Sequence, residues 1–328
     1  MKIRHFFEYW ATRTALLLIP RIPRCGIVGL SRFAGWLGYY GASHLRNVGW
    51  ANLDLAFGTT KTHAEKKAIL RQSFQTFALT MLDLLWFSHK VGERLDTYCP
   101  KVIGGKAYYE AIPTISLTAH AGNWELMGKT AAHQGASITS MAAPLKNQKL
   151  NDLFITMRTQ TGQTIVAKNG AIRNMIKTLR NNEKVALLLD QNTKPSDGGI
   201  FLDFFGLPVP VSIVVAALAA HTKPRIYFST LIADKKGYYH SHDTQILQID
   251  DINEPNKTAH NLEITRRVLH AVEEHVKTHP GTWLWMYKRW KYVAPGHTRE
   301  EYPFYAKEML DIDKKADAKT REALKQNT

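Results

Sequence analysis

The sequence lacks most of the features that mark several common protein classes. Among its 328 residues there are two cysteines, Cys25 and Cys99, which form no disulfide framework and fit a reducing cytoplasm. It has no internal repeat, low-complexity block or Gly-rich phosphate loop, since Gly104-Gly105 is only a turn signal. With 45% hydrophobic and 22% charged residues, the composition is that of a globular chain with a large core. Extensive disorder and a disulfide-stapled fold are therefore excluded.

Acidic residues are scarce, above all near the start of the chain. The net charge is +15, which implies anionic partners such as nucleic acid, an anionic membrane, a phosphorylated substrate or an acidic carrier protein. Residues 1–50 contain Glu8 as their single acid, among basic residues and aromatic or aliphatic blocks. No uncharged run there reaches the ~18 residues of a membrane-spanning helix, and no small-residue cleavage site of a secretory signal is present.

The N-terminal pattern is typical of helices that associate with a membrane surface. Basic, aromatic and amphipathic segments lie in the headgroup plane of a bilayer. We expect residues 1–43 to form such an anchor at a cytoplasmic membrane face. Two alternatives stay open, namely a helical pair packed on the domain with a solvated basic rim, and a tilted single span whose arginines reach the interface.

From Val102 onward, short apolar strands alternate with helices, which predicts an α/β fold with a mostly parallel central sheet flanked by helices. The sequence thus divides into an anchor at 1–43, an α/β domain at 44–305 and a polar tail at 306–328. We expect strands at Thr114–Ala119, Ile138–Met141, Gln163–Val166, Lys184–Leu189, Arg225–Ile232 and Tyr238–Leu247, and helices at Thr62–Phe87, Asn123–His133, Gln148–Thr161, Ala171–Asn181, Val211–His221 and Thr258–Thr278.

The run from Leu117 to Leu126 places a histidine and a carboxylate where a strand becomes a helix. An alternating strand leads into His120, and Gly122 with Asn123 provides a turn and a helix N-cap. On one continuous helix His120 and Glu125 would be about 140° apart, whereas the turn lets them meet. A carboxylate on one ring nitrogen leaves the other free as a general base. The alternative is a surface or capping pair, because Glu125 favours a helix N-terminus in any case.

Other polar residues fall at the same edge of the predicted sheet. Ligands bind at the carboxyl ends of strands in such sheets, where His120, Lys168 and the pair Asp190-Gln191 all lie. A guanidinium such as that of Arg158 could stabilise an oxyanion beside His120, and a surface salt bridge is the alternative. Metal binding is not expected, since the histidine spacing does not fit a zinc-binding helix.

Aromatic segments near the C-terminal half have two interpretations. Phe201 and Phe205 suit the wall of an acyl-chain tunnel or a core. The run from Trp283 to Lys291, which includes Trp285 and Arg289, could stack nucleobases, line an acyl pocket or lie in a membrane interface, and core packing is the common role of such aromatics.

Taken together, these blocks resemble the bacterial late acyltransferases of lipid A biosynthesis, the lauroyl and myristoyl transferases, within the wider lysophospholipid and glycerolipid acyltransferase group. The resemblance extends from Arg13 to Tyr302. Two departures leave the acceptor open, namely Lys146 where arginine is common, and Tyr287 to Trp290 in place of a His-Arg-Arg-Phe ending. The blocks that carry it are Thr118–Glu125, Arg46-Asn47, Asn52-Leu53, Pro144–Asn147, Arg158, Lys168–Gly170, Asp190-Gln191, Gly199–Gly206 and Trp285–Lys291.

The resemblance implies acyl transfer from an acyl-carrier-protein thioester to a hydroxyl of a phosphorylated, Kdo-bearing lipid A precursor at the cytoplasmic face of the inner membrane. It implies no cofactor, no metal and no nucleic-acid partner. His120 would be the base and Glu125 the residue that orients it. Residues with an oxyanion or substrate-binding role would be Arg158, Asn123, Lys168, Asp190 and Gln191, and acyl-pocket or acceptor candidates would be Trp124, Phe201, Phe205, Trp285 and Arg289.

Two other functions stay open on the sequence. An acyltransferase acting on another membrane lipid, such as a glycerolipid, ornithine lipid or glycolipid, would keep His120 and Glu125 but change the acceptor. A non-enzymatic basic protein that binds membrane or nucleic acid would use the same charge and aromatic residues without needing His120.

Overall fold

The computed structural model describes residues 3–100, 103–167, 170–247 and 256–308. The tail predicted at 306–328 lies outside this range from residue 309 onward, as does the predicted site residue Lys168. Within the described residues, five α-helices precede the sheet: α1 (Ile3–Leu18), α2 (Arg24–Gly41), α3 (Ser43–Phe57), α4 (His63–Trp86) and α5 (Val91–Tyr98).

The sheet and its helices follow in alternation. The elements are β1 (Thr114–Thr118), α6 (Trp124–His133), β2 (Ile138–Ala142), α7 (Gln148–Thr159), β3 (Thr164–Ala167), α8 (Ala171–Arg180), β4 (Lys184–Leu188), β5 (Gly199–Phe204), β6 (Leu207–Ser212), α9 (Val214–Thr222), β7 (Arg225–Ala233), β8 (Tyr239–Leu247) and α10 (Lys257–Thr278).

The main sheet has the order β3-β2-β4-β1-β7-β8. Its first five strands in this order are parallel, and β8 pairs antiparallel with β7 at one edge. All residues of the central strand β1 are buried, as expected of a parallel strand covered on both faces. The predicted α/β fold with a mostly parallel sheet flanked by helices is therefore confirmed.

Local chemistry explains why the helices begin where they do. A capping box starts α4, in which the side chain of Thr62 accepts from the Glu65 backbone N–H and that of Glu65 accepts from the Thr62 N–H. The Asn123 side chain caps α6 by accepting from the N–H of Leu126 at 3.1 Å. The sequence-based expectation of a turn and an N-cap at Gly122-Asn123 is thus confirmed.

A two-stranded hairpin of β5 and β6 was not expected from the sequence, which placed a helix from Val211 instead. The hairpin turns at Phe205 and Gly206, which have φ of 54° and 75°. Positive φ at both positions defines a tight hairpin turn that Asn-Gly would normally signal. The two prolines of β6, Pro208 and Pro210, also disfavour the prediction of a strand from the sequence, because proline cannot donate a backbone hydrogen bond. The helix α9 therefore begins only after the hairpin.

The N-terminal helices lie against the domain by way of a buried ion pair. Arg24 of α2 binds Asp83 of α4 through both carboxylate oxygens and donates to the carbonyl of Gly237 at 2.8 Å. The hydroxyl of Tyr239 also donates to Asp83, at 2.5 Å. The charge of Asp83 outweighs the burial that opposes it and raises the pKa of Arg24. This cluster fixes α2 to the start of β8.

The outer faces of α1 and α2 expose many large apolar side chains. Among the helices of the described residues, none is both long and apolar enough to cross a bilayer. We call the following set the exposed apolar surface: Phe6, Phe7, Trp10, Leu17, Leu18, Phe33, Trp36, Leu37 and Tyr40.

Candidate active site

His120 lies directly beyond the carboxyl end of β1, in the turn that leads to α6. Its backbone N–H donates to Asp190 at 2.8 Å, and its carbonyl accepts from the N–H of Leu284 at 2.9 Å. Gly122 has φ of 59°, and a Cβ there would meet the Leu231 carbonyl oxygen at 2.1 Å. The turn therefore requires glycine, and it is held between the end of β4 and the chain near residue 284.

The imidazole of His120 is oriented by a buried carboxylate. Its Nδ1 atom is 2.7 Å from Oδ1 of Asp190, the second residue after β4. The other carboxylate oxygen accepts from the indole N–H of Trp283 at 2.8 Å. Because Nδ1–H donates its hydrogen bond to the carboxylate and keeps its proton, Nε2 is left as the basic nitrogen. The amide nitrogen of Gln191 lies 3.2 Å from Nε2.

Burial and charge act in opposite directions on this pair. Burial lowers the pKa of His120, but the charge of Asp190, their hydrogen bond and the charge of Glu125 outweigh it, so the pKa is raised. Burial likewise raises the pKa of Asp190, yet the charge and hydrogen bonds of His120 and the Trp283 N–H leave it below its ordinary value. An ionised Asp190 therefore stabilises the imidazolium that a general base must become.

The structure corrects the expected contact between His120 and Glu125. Both carboxylate oxygens of Glu125 face Arg158 of α7, with Nε at 2.9 Å and Nη2 at 2.8 Å. The carboxylate on the imidazole is instead Asp190, which the sequence had placed at the same sheet edge as a substrate-binding residue. The reason is the strand order, since β4 lies directly beside β1 and ends at the same level. Glu125 acts on His120 only through its charge.

A cavity of about 320 Å³ opens beside His120 between α6, α7 and the sheet. Trp124 is among its walls, and its ring lies 5.0 Å from that of His120. Glu125, Arg158 and Gln191 also line it. The structure thus brings these predicted residues together around the basic nitrogen. The remaining walls are mostly small or apolar side chains, as in pockets for extended apolar ligands.

Other predicted site residues lie elsewhere. Phe201 and Trp285 are fully buried in the core on the opposite face of the sheet, and Phe205 packs against Phe57 and Trp290. These three do not line the cavity beside His120, so the structure gives them a core role in place of the expected acyl-pocket role. Asn123 is buried and binds Tyr239 at 2.7 Å, away from the imidazole nitrogens.

Arg289 is also placed in the core, where its side chain is fully buried over the ring of Phe204. Its Nη1 donates to the side chain of Asn192 at 2.9 Å. Burial lowers its pKa to about 10. It therefore supports the segment that follows Asp190 and Gln191, without lining the cavity.

Sequence reasoning missed the role of Trp283. Its indole binds Asp190 across 93 positions of sequence, and no spacing signal links two residues so far apart. The alternating tryptophans at 283 and 285 were visible in the sequence, but they are equally typical of core packing.

The fold and the site define an α/β protein with a histidine–aspartate pair at the carboxyl edge of its sheet. Comparison with known proteins specifies the family. Residues 1–292 match the family of bacterial lipid A biosynthesis acyltransferases, and the chain belongs to that family.

Individual relatives are distant, and two of them match over nearly the whole chain while a third matches over about three fifths. The chain is 26% identical over 317 residues to the lipid A biosynthesis myristoyltransferase of Escherichia coli K12, covering 93% of each chain. It is 26% identical over 321 residues to the lipid A biosynthesis acyltransferase 1 of Shigella flexneri, again over 93% of each. It is 25% identical over 210 residues to the phosphatidylinositol mannoside acyltransferase of Mycobacterium tuberculosis H37Rv, covering 61% of this chain and 62% of that relative.

Proposed function

We propose that this protein transfers a fatty acyl chain from an acyl-carrier-protein thioester to a hydroxyl of a phosphorylated, Kdo-bearing lipid A precursor. The observation that carries the proposal is the 2.7 Å contact between Nδ1 of His120 and Asp190, with Nε2 turned to a cavity. Family membership supports the lipid acceptor. The net charge of +15 suits both an acidic carrier protein and an anionic lipid.

In the proposed mechanism, Nε2 of His120 removes the proton from the acceptor hydroxyl as its oxygen attacks the thioester carbonyl. Asp190 stabilises the imidazolium that results. The tetrahedral intermediate then expels the carrier's thiolate, which takes the proton from His120, so the new ester forms without a covalent acyl-enzyme. Glu125 binds Nε and Nη2 of Arg158, which leaves Nη1 of that guanidinium for the oxyanion.

Lipid mass spectrometry tests the acceptor. In a strain that lacks the gene, lipid A is expected to lose one secondary acyl chain, and the chain should return when the gene is restored. An unchanged lipid A pattern would contradict the lipid A acceptor.

The likeness to a phosphatidylinositol mannoside acyltransferase supports a second candidate, an acyltransferase for another membrane lipid. It predicts that an acylated glycolipid or glycerolipid is lost in place of a lipid A chain. Purified protein with acyl-carrier-protein and acyl-coenzyme A thioesters then identifies the donor. A protein that binds acidic vesicles but transfers no acyl chain from either donor would instead be the non-enzymatic binding protein.

We further propose that the exposed apolar surface rests on the cytoplasmic face of the inner membrane. Phe7 and Phe33 are 64% and 60% exposed, which is unusual for large apolar side chains on a water-facing helix. The helix α1 also contacts the start of α7, a helix that lines the cavity through Arg158, because the side chain of Asn147 donates to the carbonyl of His5 at 2.9 Å. A lipid leaving the bilayer beside α1 would therefore approach His120.

Vesicle flotation tests this placement. Phe33→Glu and Trp36→Glu should each weaken binding to anionic vesicles about tenfold or more, because a charge replaces apolar area in the headgroup region. Asn174→Glu, at an exposed polar position of α8, is the control for the added charge. Equal binding by all three variants would show that this surface does not contact the membrane.

A further inference from the structure

The cavity beside His120 continues as a groove along one face of the sheet. Strand register places Ser140 of β2 level with Ala186 of β4 and Ile165 of β3, and Thr118 level with Leu188. Residues level with one another on parallel strands point to the same face, and all five line the cavity. The groove therefore runs along the strands from His120 toward their amino ends.

Small side chains create this groove. Ser140 and Ala186 fill little of the space between the sheet and the helix above it, and Gly128 of α6 faces them without a side chain. Met127 and Ile165 provide apolar walls. Because protein interiors are otherwise close-packed, the small residues at this level leave space that is largely apolar, as an extended hydrocarbon chain requires.

The amide of Gln163 closes the far end of the groove. Its Nε2 donates to the hydroxyl of Ser140 at 2.6 Å. Its amide also lies close against Gly128. A Cβ atom added to Gly128 would be 2.4 Å from both the nitrogen and the oxygen of the Gln163 amide. At the same level, β2 carries Ile138, which is 4% exposed and belongs to the packed core. The space therefore ends at this amide.

The strand register sets an upper limit on the length of the groove. Gln163 precedes Ile165 of β3 by two residues. Ile165 is level with Ala186 of β4, which in turn precedes Leu188 by two residues. Four residues of parallel strand correspond to about 13 Å. This is the distance, along the strands, between the level of Thr118 near the mouth and the Cα of Gln163. The amide projects from there toward the mouth, because it donates to Ser140 at the level of Ala186, so the open length is shorter.

We propose that this groove holds the acyl chain of the donor and that Gln163 sets the chain length which the protein accepts. The inference rests on the proposed acyl transfer and deepens it by naming the residue that selects the substrate. With the thioester carbonyl at His120, the chain would extend past Thr118 and Ala186 until its methyl end meets the Gln163 amide. A longer chain would have to displace a hydrogen-bonded, buried amide, and a shorter one would leave apolar surface uncovered.

Substitutions at two levels of the groove should change the preferred length in opposite directions. Gln163→Ala removes the end wall and should shift the optimum toward longer chains. Ala186→Leu places a larger side chain in front of the Gln163 amide and should shift the optimum toward shorter chains. Gln163→Leu keeps the volume without the amide, so it should preserve the optimum if the wall acts by its bulk. Each extra methylene that fits contributes about fourfold, and one that does not fit costs about tenfold or more.

The measurement is the relative kcat/KM for saturated acyl-carrier-protein thioesters of increasing length, with thermal unfolding to show that each variant is folded. Thr164→Ala is the matched control, since Thr164 follows Gln163 but is exposed. Calorimetric binding of saturated fatty acids of the same lengths gives a second reading that needs no turnover. Opposite shifts in the Gln163→Ala and Ala186→Leu variants, with none in the control, support the proposal.

The two proposals fail in different ways. If folded variants transfer acyl chains or bind fatty acids with the wild-type length preference, the assignment of Gln163 is overturned while acyl transfer stands. If the wild type transfers no chain from any thioester, yet fatty-acid binding shifts with the two substitutions, the groove assignment stands and acyl transfer falls.

Discussion

Two buried aspartates lie on either side of the turn at residues 120–125, and they differ in what their partners can do. Asp83 is fully buried and binds Arg24, while Asp190 is 3% exposed and binds His120. Arg24 is enclosed by the rings of Trp86, Phe87, Tyr98 and Tyr239. The imidazole of His120, in contrast, has one nitrogen at a cavity. The Arg24–Asp83 ion pair is therefore enclosed by protein, whereas the His120–Asp190 pair is accessible to a ligand in the cavity.

The pKa directions of the two carboxyl groups show the same contrast. Burial raises the pKa of Asp83, against the opposing charge of Arg24. In Asp190, burial is outweighed by His120 and by the Trp283 N–H, so the pKa is lowered. A permanently charged arginine in a closed shell can only fix structure. A histidine whose other nitrogen is open can exchange a proton, so we infer that the first cluster holds the turn and the second performs chemistry.

The largest effect should come from His120→Ala. Loss of the general base is expected to reduce acyl transfer by about 10²–10⁴-fold or more, with the unfolding temperature close to that of the wild type. His133→Ala is the control, because His133 is the last residue of α6 and pairs with Asp96 at the surface. A well-folded His120→Ala protein with full activity would contradict the proposed mechanism.

Asp190→Asn should have the next largest effect and should also move the pH profile. A base must be neutral, so activity rises with pH through the pKa of His120. Asp190 raises that pKa, and without its charge the rise should occur at lower pH. The rate on the plateau should fall about 10²–10⁴-fold, because the imidazolium loses its stabilising partner. A profile that keeps its position would show that Asp190 does not tune His120.

Glu125 and Arg158 should have an intermediate and shared effect. Arg158→Gln removes the proposed oxyanion donor and should reduce kcat about 10²-fold. Glu125→Gln removes the charge that binds the Arg158 guanidinium. This variant should reduce kcat mainly because Arg158 is no longer held in place. If so, the double variant should be little worse than Arg158→Gln alone, as for residues of one network. Multiplicative losses in kcat would instead indicate that Glu125 acts on His120 independently.

Arg24→Met should have the smallest effect on catalysis and a large effect on stability. Leaving Asp83 buried without its cation is expected to cost about 3–5 kcal/mol of unfolding free energy, measured by denaturant titration. Below the unfolding transition, the pH profile should match that of the wild type. Arg32→Met on the same helix is the control, since Arg32 is exposed and donates only to the Lys235 carbonyl. A shifted pH profile in Arg24→Met would remove the contrast between the two clusters.

Local signals predicted the fold well where the chain itself defines the element. The helix α6 begins at Trp124 and ends at His133, as its cap, periodicity and following glycine indicate. The β5–β6 hairpin was not predictable in this way, because Phe205 adopts a left-handed conformation that a phenylalanine does not signal. Packing of Phe204 against the distant residues Trp283 and Trp290 contributes to its stability.

The site was predicted in its location but not in its pairing. Polar residues at strand ends are visible in a sequence, and His120, Asp190 and Gln191 do meet at one edge. Glu125 was the nearest carboxylate along the chain, so spacing favoured it over Asp190, which is 70 positions away. Arg158 competes for Glu125 from a different helix, and such competition has no signature in either segment.

The sequence alone determined the candidate base, the turn that presents it and the basic, aromatic N-terminus, because these depend on neighbouring residues and on composition. Tertiary structure decided which carboxylate orients His120, since the order of strands places β4 beside β1. It also decided that small residues on two strands, Ser140 of β2 and Ala186 of β4, lie opposite Gly128 beside the amide of Gln163. Register and helix packing set such contacts, and they join residues that are far apart along the chain.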